Sequence, residues 1–334
     1  LTLDGEPYYA IRNVGQMPPF FVSLVSDSDH WMFISSTGGL TAGRVSPETA
    51  LFPYVTVDKV HESWTHTGSV TVVRTEHGGA EYEWEPFNRA HDFRYSLERN
   101  LYKNVLGNKL CFEEVNHDLR LAFRYWWLTS EEYGFVRRCE LENLGDQSRE
   151  LDLVDGMRNI LPAGTPRFAQ TNTSNLVDAY KWSELHEGVD LGLYTLYSGI
   201  TDRAEPCESL RATTVFCLGL PGREVFLSAR QLNESISTGA ARSQRHQRGI
   251  RGDYLVRSRV NLGPGGAERW QLVANVEQSQ AEVVRLLGDL EKPEVLSKKI
   301  DQSVDEGADE LARIMASADA FQETAHEIEC VHHY

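Results

Sequence analysis

The chain has 334 residues, of which 41% are hydrophobic and 25% are charged, and its formal net charge is −16. A hydrophobic fraction of this size can fill a real core, and the length fits one large β domain with a short helical appendage. The negative charge argues against nucleic acid and against an anionic membrane surface as partners, whereas neutral sugars remain compatible with it.

Location and cysteine chemistry follow from two further features of the sequence. No segment approaches the ~20 apolar residues of a membrane span, and no signal peptide is visible, so we expect a cytoplasmic protein. The cysteines are odd in number and widely spaced, without a C-x-x-C pair, which predicts free thiols and neither a disulfide framework nor a metal site. They are Cys111, Cys139, Cys207, Cys217 and Cys330.

Short apolar runs separated by turn signals fill the sequence up to residue 276. The clearest run is 119–128, where Leu119, Leu121, Phe123, Tyr125 and Trp127 alternate with polar or small residues at period two. The predicted strands are 20–25, 31–35, 70–74, 81–85, 93–97, 110–115, 119–128, 135–141, 151–155, 191–197, 211–217, 224–229, 254–260 and 270–276.

This pattern contains no amphipathic helix between strands, which a parallel sheet would need for its crossover connections. We therefore predict a mainly β fold, a large antiparallel β super-sandwich over residues 1–276. Between two of its strands, the Gly-rich segment Ser35–Arg44 reads as a loop. Such a loop serves either as a tight turn or as a close approach to a ligand or partner domain.

Helical signals begin after residue 276. Ser279 and Glu282 have capping-box spacing, and apolar residues then recur at helical spacing through 283–290. Pro293 suits a helix first turn, and the next stripe is Leu296, Ile300, Val304, Leu311 and Ile314. A third helix is predicted from Ser317 to Tyr334. Residues 277–334 are thus a predicted short C-terminal helical linker, and we expect more protein to follow.

Tryptophan and the longest polar segment are the candidate sugar-binding features. Indole rings stack on sugar faces, although packing in the core is the commoner role of a single tryptophan in a strand. Trp64 and Trp182 lie in polar segments and are the better surface candidates. Residues 161–175 predict a long irregular loop rich in amides and hydroxyls. The predicted substrate-binding residues are Arg167, Gln170, Asn175, Asp178, Lys181 and Trp182.

Catalytic residues are not predicted. The carboxylate pairs Glu113-Glu114 and Glu131-Glu132 are adjacent, so on a strand they would point to opposite faces instead of converging on one bond. The eleven histidines are scattered without metal-ligand spacing. No nucleophile motif is present, and no metal or organic cofactor is expected.

Several segments together resemble the N-terminal super-sandwich domain of the cellobiose/chitobiose phosphorylase family, which has a galactose-mutarotase-like fold. Pro19–Leu24 followed by Phe33–Gly39 looks like the opening of that domain, with Ser36 and Thr37 where the family usually has Asn. The segments 112–119 and 135–143 resemble its middle strands. The terminal helices resemble the linker into an (α/α)6 barrel.

The resemblance implies a glycoside phosphorylase that uses inorganic phosphate as co-substrate and inverts the anomeric centre. The catalytic Asp would lie on the barrel beyond Tyr334. The β domain would form one wall of a disaccharide or oligosaccharide site through a loop within 167–182, and in some members the contact of a homodimer.

We therefore expect a non-catalytic carbohydrate-binding or structural domain of a larger enzyme, a phosphorylase or a related glycoside hydrolase. A stand-alone mutarotase-like sugar epimerase remains an alternative, and so does a glycan-binding or interface module.

Overall fold

The computed structural model describes residues 1–3, 5–186, 188–199, 210–238 and 245–318. Strands dominate this part of the chain, and every strand pair in it is antiparallel. The strands are β1 (Thr2–Leu3), β2 (Glu6–Ile11), β3 (Phe21–Leu24), β4 (His30–Ser35), β5 (Leu40–Arg44), β6 (Ala50–Phe52), β7 (Gly68–His77), β8 (Ala80–Trp84), β9 (Leu97–Asn104), β10 (Leu110–Asn116), β11 (Leu121–Ser130), β12 (Gly134–Asn143), β13 (Arg149–Ile160), β14 (Lys181–Leu185), β15 (Gly192–Leu196), β16 (Arg211–Leu218), β17 (Glu224–Phe226), β18 (His246–Arg248), β19 (Gly252–Leu262) and β20 (Ala267–Ser279).

Three sheets result, which we call the large, the middle and the small sheet. The large sheet has eleven strands in the order β1-β2-β9-β10-β11-β12-β20-β16-β15-β14-β18. The middle sheet has the order β17-β19-β13-β7-β8, and the small sheet has the order β3-β4-β5-β6. One buried cluster joins all three, for example through Phe123 of the large sheet, Leu153 of the middle sheet and Ile34 of the small sheet. The predicted large antiparallel β fold followed by helices is confirmed.

Alternation along β11 places its apolar residues as predicted. Leu119, Leu121, Phe123 and Tyr125 are buried in the common core. The two adjacent tryptophans point to opposite faces of the strand. Trp127 is fully buried in this core, whereas Trp126 is partly buried and packs against residues of the opposite face. Trp84 and Trp270 also lie in the core, so these indoles contribute mainly by packing there.

The helices of the described residues are α1 (Val57–Glu62), α2 (Arg167–Asn172), α3 (Ser174–Tyr180), α4 (Ala229–Thr238), α5 (Gln280–Leu290) and α6 (Pro293–Ser317). The capping box predicted from Ser279 and Glu282 is formed, with both reciprocal hydrogen bonds. Leu290, Leu296, Ile300 and Val304 pack on the outer face of the large sheet, beside strand residues such as Val136. Of the predicted stripe, Leu296, Ile300 and Val304 therefore pack on the β domain, Leu311 is also buried, and Ile314 is 45% exposed. The predicted third helix lies outside the described residues from 319 onward.

Three predictions about the first 276 residues are wrong. Residues 93–96 form no strand: Asn88 caps a single 3-10 turn through the Ala90 amide (2.9 Å), Phe93 is fully exposed, and β9 begins only at Leu97. Helices also occur before residue 277, because α1 to α4 are short elements between strands and are not crossovers. The strand predicted over 224–229 ends at Phe226, and α4 begins at Ala229.

The Gly-rich segment is a turn between two strands, and its second half is β5. Gly38 has φ of +91°, which a tight turn with this geometry requires. A side chain at Gly39 would collide with the Val60 carbonyl oxygen of α1. The segment is therefore the tight turn, and the element that its backbone approaches closely is α1 of the same domain.

Three of the five cysteines lie in the described ranges. Cys111, Cys139 and Cys217 are buried, whereas Cys207 and Cys330 lie outside these ranges. No helix within the described ranges is both long and apolar enough to cross a membrane.

Candidate functional site

The segment predicted as an irregular loop, 161–175, leads into two short helices. Pro166 is the extended residue before α2, and α3 follows one residue after α2 ends. Ala169 of α2 and Val177 of α3 are buried against Leu196 of β15. These small apolar contacts order a segment whose amides and hydroxyls are typical of loops, so the prediction of an irregular loop is wrong here.

Two of the six predicted binding residues, Arg167 and Gln170, meet at Tyr54. The guanidinium carbon of Arg167 lies 4.9 Å from the centre of the Tyr54 ring. Gln170 accepts the Tyr54 amide through Oε1 (3.3 Å) and donates Nε2 to the Thr165 carbonyl (2.7 Å). Gln170 therefore holds Tyr54 in place, while the exposed Arg167 offers its guanidinium to solvent.

Tyr54 ends a row of four aromatic side chains, Phe21, Phe33, Trp31 and Tyr54, which we call the aromatic strip. The ring centres of Phe21 and Phe33 are 5.7 Å apart, those of Phe33 and Trp31 are 6.3 Å apart, and those of Trp31 and Tyr54 are 5.5 Å apart. Phe21 is 43% exposed and the other three are half-buried. The strip is thus a continuous apolar surface open to solvent.

The alternation of β4 explains why the strip faces outward. Met32 and Ile34 point into the core, so Trp31 and Phe33 point to the other face of the small sheet. Solvent-facing positions of an antiparallel sheet are usually polar, which makes several aromatic rings there informative. Gly43 pairs with Trp31 across the sheet, and a side chain at Gly43 would collide with the indole. The absence of that side chain lets Trp31 lie close against β5.

Asn175, Asp178 and Lys181 form no part of this group. Lys181 Nζ lies 2.8 Å from Asp178 Oδ1, and Lys181 is only 7% exposed. Asn175 is exposed on α3. Within the described ranges, no hydrogen bond or ring contact joins these three residues to Arg167 or Tyr54. The structure therefore divides the predicted site.

Trp182 lies on the face of β14 opposite to Lys181, because successive strand residues point to opposite sides. Arg248 lies against one face of the Trp182 ring, with its guanidinium carbon 3.8 Å from the ring centre. Tyr197 stacks nearly parallel to the same indole at 6.1 Å and is 71% exposed. Since Arg248 occupies one face of this indole, Trp182 presents less ring surface to a sugar than the aromatic strip does.

The beginning of the 161–175 segment contacts the start of the linker. The Gly164 amide donates to Glu277 Oε1 at 2.9 Å, and Glu277 has a left-handed φ of +56° near the C-terminal end of β20. Nearby, a cavity of about 270 Å³ lies between α5 and the turn that joins β11 to β12. Glu131 and Glu132 both line this cavity, because they lie in the turn and not on a strand. The prediction that these two carboxylates point to opposite faces is therefore wrong.

The other carboxylate pair does separate as predicted. Glu114 points into the core, where it accepts hydrogen bonds from Trp84 Nε1 (2.7 Å) and Arg99 Nε (2.5 Å). Glu113 points to the outer face and accepts from Arg124 Nε (2.5 Å). Burial opposes ionisation of Glu113, but the hydrogen bonds from Tyr102, Asn100 and Arg124 outweigh it and lower the pKa of Glu113, whereas burial raises the pKa of Glu114. Both act as structural ion-pair partners.

Sequence reasoning missed the strip, although it noted the apolar runs that contain it. Phe21, Trp31 and Phe33 lie in predicted strands, and no motif singles out Tyr54. The available signal was that large apolar residues occupy both faces of β4, Met32 and Ile34 on one and Trp31 and Phe33 on the other, where alternation would make the outward face polar.

Comparisons with known proteins give distant structural neighbours only. No protein-family profile and no curated protein sequence matches the chain. A bacterial glucoamylase solved with acarbose aligns with a TM-score of 0.47 at 9% identity, over 94% of this chain and 42% of that one. A putative kojibiose phosphorylase from the human microbiome aligns at 0.38 and 9% identity, over 73% and 28%. A putative aldose 1-epimerase from Escherichia coli K12 aligns at 0.37 and 10% identity, over 78% and 99%.

The names of the three neighbours are those of carbohydrate enzymes. They include a phosphorylase and an aldose epimerase, two enzyme types that were also considered from the sequence. This chain spans less than half the length of the glucoamylase and of the phosphorylase. With TM-scores below 0.5, the likeness carries no information about activity, substrate or site.

Proposed function

We propose that this chain is a non-catalytic carbohydrate-binding domain of a larger carbohydrate-active enzyme, and that the aromatic strip holds a neutral disaccharide or oligosaccharide. The observation that carries the proposal is the row of four outward-facing rings that ends at Arg167. Pyranose rings present apolar C–H faces that pack on aromatic rings, while their hydroxyls need polar neighbours at the edge.

Charge favours a neutral ligand. The net charge of −16 repels polyanions at a distance, whereas it does not repel neutral sugars. At the strip, the carboxylate of Glu48 is engaged, because its Oε2 accepts the Arg167 amide at 2.8 Å. Arg167 is therefore the polar group best placed to donate hydrogen bonds to ring or hydroxyl oxygens of a sugar on Tyr54.

A binding role without catalysis fits the chemistry at the strip. A glycosidase needs two carboxyl groups converging on one bond, and an epimerase needs a general acid and a general base on the same sugar. The described contacts around Tyr54 and Arg167 supply one carboxylate, Glu48, and it is used within the protein. We therefore place catalysis in another domain of the whole protein.

For that whole protein, the sequence resemblance supports a glycoside phosphorylase or a related hydrolase. The partner domain would be an (α/α)6 barrel with the catalytic acid, and inorganic phosphate would bind there as co-substrate. The division into a β domain over 1–276 and a linker over 277–334 is part of the same proposal.

A second candidate is an interface module, which Phe21 specifically favours. A phenylalanine that is 43% exposed in a continuous apolar row also fits a surface covered by another domain or by a second copy of the chain. The two candidates differ in the ligand of the strip, a sugar or a protein surface.

A panel of immobilised neutral and acidic oligosaccharides separates them. We expect the purified chain to bind neutral members, Phe33→Ala to lose most of this signal, and Phe93→Ala to keep it. Phe93 is a fair control because it is a fully exposed aromatic residue without a ring contact in the described residues. Absence of sugar binding together with self-association that Phe21→Ser abolishes would favour the interface module. Anomerisation of free sugars by the chain would favour the mutarotase.

A further inference from the structure

A second, smaller cavity opens between the large and the middle sheet, and we call it the inter-sheet cavity. It has a volume of about 30 Å³, and its lining includes Trp64, Ser69, Glu85, Arg137 and Arg158. Water in a protein cavity needs roughly 10–15 Å³ on the same measure, so there is room for about two water molecules or two non-hydrogen atoms of a ligand.

Three buried polar atoms at this cavity have no hydrogen-bond partner among the described residues: Ser69 Oγ, Arg137 Nε and Arg158 Nε. Arg137 is fully buried, and its terminal nitrogens are already used by Asp155 (2.7 and 2.8 Å) and Thr71 (3.0 Å). A buried donor without an acceptor costs roughly 1–3 kcal/mol. Three such atoms around one cavity indicate that something other than protein satisfies them.

The cavity lining carries charges of both signs, which disfavours a bound anion. Arg137 is paired with Asp155, and Glu85 lies in the same lining as Arg158. Glu85 Oε2 accepts from Asn88 Nδ2 at 2.7 Å, while Oε1 accepts no hydrogen bond from a described residue. The lining therefore contains both N–H donors and a carboxylate acceptor.

A hydroxyl group matches this lining because it accepts and donates at once. The indole of Trp64 adds an apolar wall on which a CH₂ group can pack. We propose that the inter-sheet cavity binds the hydroxymethyl end of a neutral polyol or sugar, with the oxygen accepting from Arg158 Nε or Arg137 Nε and donating to Glu85. This site is separate from the aromatic strip and does not depend on the function proposed for it.

The test follows the Nε–H resonances of Arg137 and Arg158 by NMR during titration with glycerol, glucose or xylose. Glycerol and glucose carry a hydroxymethyl group, whereas the pyranose form of xylose lacks one. We expect glycerol and glucose to shift both resonances, and xylose to act roughly tenfold more weakly, which corresponds to about 1.4 kcal/mol. A shift by glycerol alone would identify a small polyol as the ligand. No shift with any of the three, or equal shifts with glucose and xylose, would overturn the proposal.

Variants connect the shifts to the cavity. Arg158→Met keeps the aliphatic stem and should weaken glycerol binding about tenfold, read on Arg137 Nε–H. Arg259→Met removes an exposed arginine away from this cavity and should leave binding unchanged. If Arg158→Met does not fold, Ser69→Leu fills the cavity from a half-buried position and should abolish the shift. Unchanged binding in a folded Ser69→Leu protein would contradict the proposed location.

Discussion

The guanidinium carbon of Arg167 lies 4.9 Å from the ring centre of Tyr54, and this contact connects α2 to the aromatic strip. The contact gives the strip a polar end. Here Arg167, a binding residue predicted from the sequence, contacts the aromatic strip, which the sequence alone did not predict.

Removal of this polar end should weaken sugar binding without loss of the fold. We expect Arg167→Ala to lower the affinity of a strip-bound oligosaccharide by roughly 3- to 10-fold, as for the loss of one exposed cation–π and hydrogen-bonding partner. Arg167→Lys should retain part of the affinity. Titration calorimetry on folded variants measures this, and equal affinity of wild type and Arg167→Ala would remove Arg167 from the site.

Gly43→Ala should disturb the strip from beneath. The added Cβ would meet the Trp31 indole and the Thr49 carbonyl oxygen (2.6 Å), so the indole must move. We expect a loss of about 1–3 kcal/mol in the free energy of unfolding, and a changed tryptophan fluorescence spectrum. Gly263→Ala is the matched control, because its Cβ would meet nothing within 4 Å. Similar denaturation midpoints for both variants would contradict this account of Gly43.

Alternation predicted the core better than it predicted surfaces. In β11 the period-two pattern correctly placed Phe123 and Tyr125 inside, because one face of that strand is buried by the other sheets. The outward face of β4 also carries aromatic rings, so no local pattern distinguishes core from surface there. Which strands lie at the sheet edge, and what covers them, depends on long-range pairing such as β12 with β20.

The candidate site was predicted only in part for a related reason. Arg167 and Gln170 belong to one predicted site with Trp182, but the aromatic residue that both contact is Tyr54, which is distant in sequence. Lys181 and Trp182 are adjacent in sequence and point to opposite faces of β14. Residues of one predicted polar segment therefore lie in three different environments: beside Tyr54, in the Asp178–Lys181 ion pair, and against Arg248.

The buried ion pair of Arg137 and Asp155 should dominate local stability. Asp155 also accepts from Trp270 Nε1 (2.6 Å) and Thr71 Oγ1 (2.6 Å), all away from solvent. Asp155→Asn leaves the buried Arg137 uncompensated and should cost about 3–5 kcal/mol. Asp152→Asn on the same strand breaks a pair with Arg257 in which both side chains remain partly exposed (22% and 18%), and it should cost less than Asp155→Asn. Urea denaturation compares the two, and equal losses would contradict the burial argument.

His30 should make stability depend on pH in the acid range. Burial, with Arg44 as a second cause, lowers the pKa of His30 to about 3. The unfolded chain binds a proton below the ordinary histidine pKa of about 6.5, while the folded chain does not until about 3. Stability is therefore lost as the pH falls through this window, by about 1.4 kcal/mol per pH unit from this group.

Denaturation of wild type and His30→Gln at several pH values between about 4 and 6 isolates this contribution. Carboxylates titrate in the same range in both proteins, so the difference between the two slopes is the relevant quantity. We expect the variant to show the smaller slope. Identical slopes would mean that His30 is protonated in the folded protein.

The most direct measurement for the proposed function is calorimetric titration of a neutral oligosaccharide, chosen from the panel, into wild type, Trp31→Ala and Phe93→Ala. Trp31 lies at the centre of the strip, between Phe33 and Tyr54, so its removal interrupts the apolar surface on which a sugar ring would pack. We predict that Trp31→Ala, still folded, loses at least about tenfold in affinity, while Phe93→Ala binds like wild type. Wild-type affinity in a folded Trp31→Ala protein would contradict the claim that the aromatic strip is the carbohydrate site.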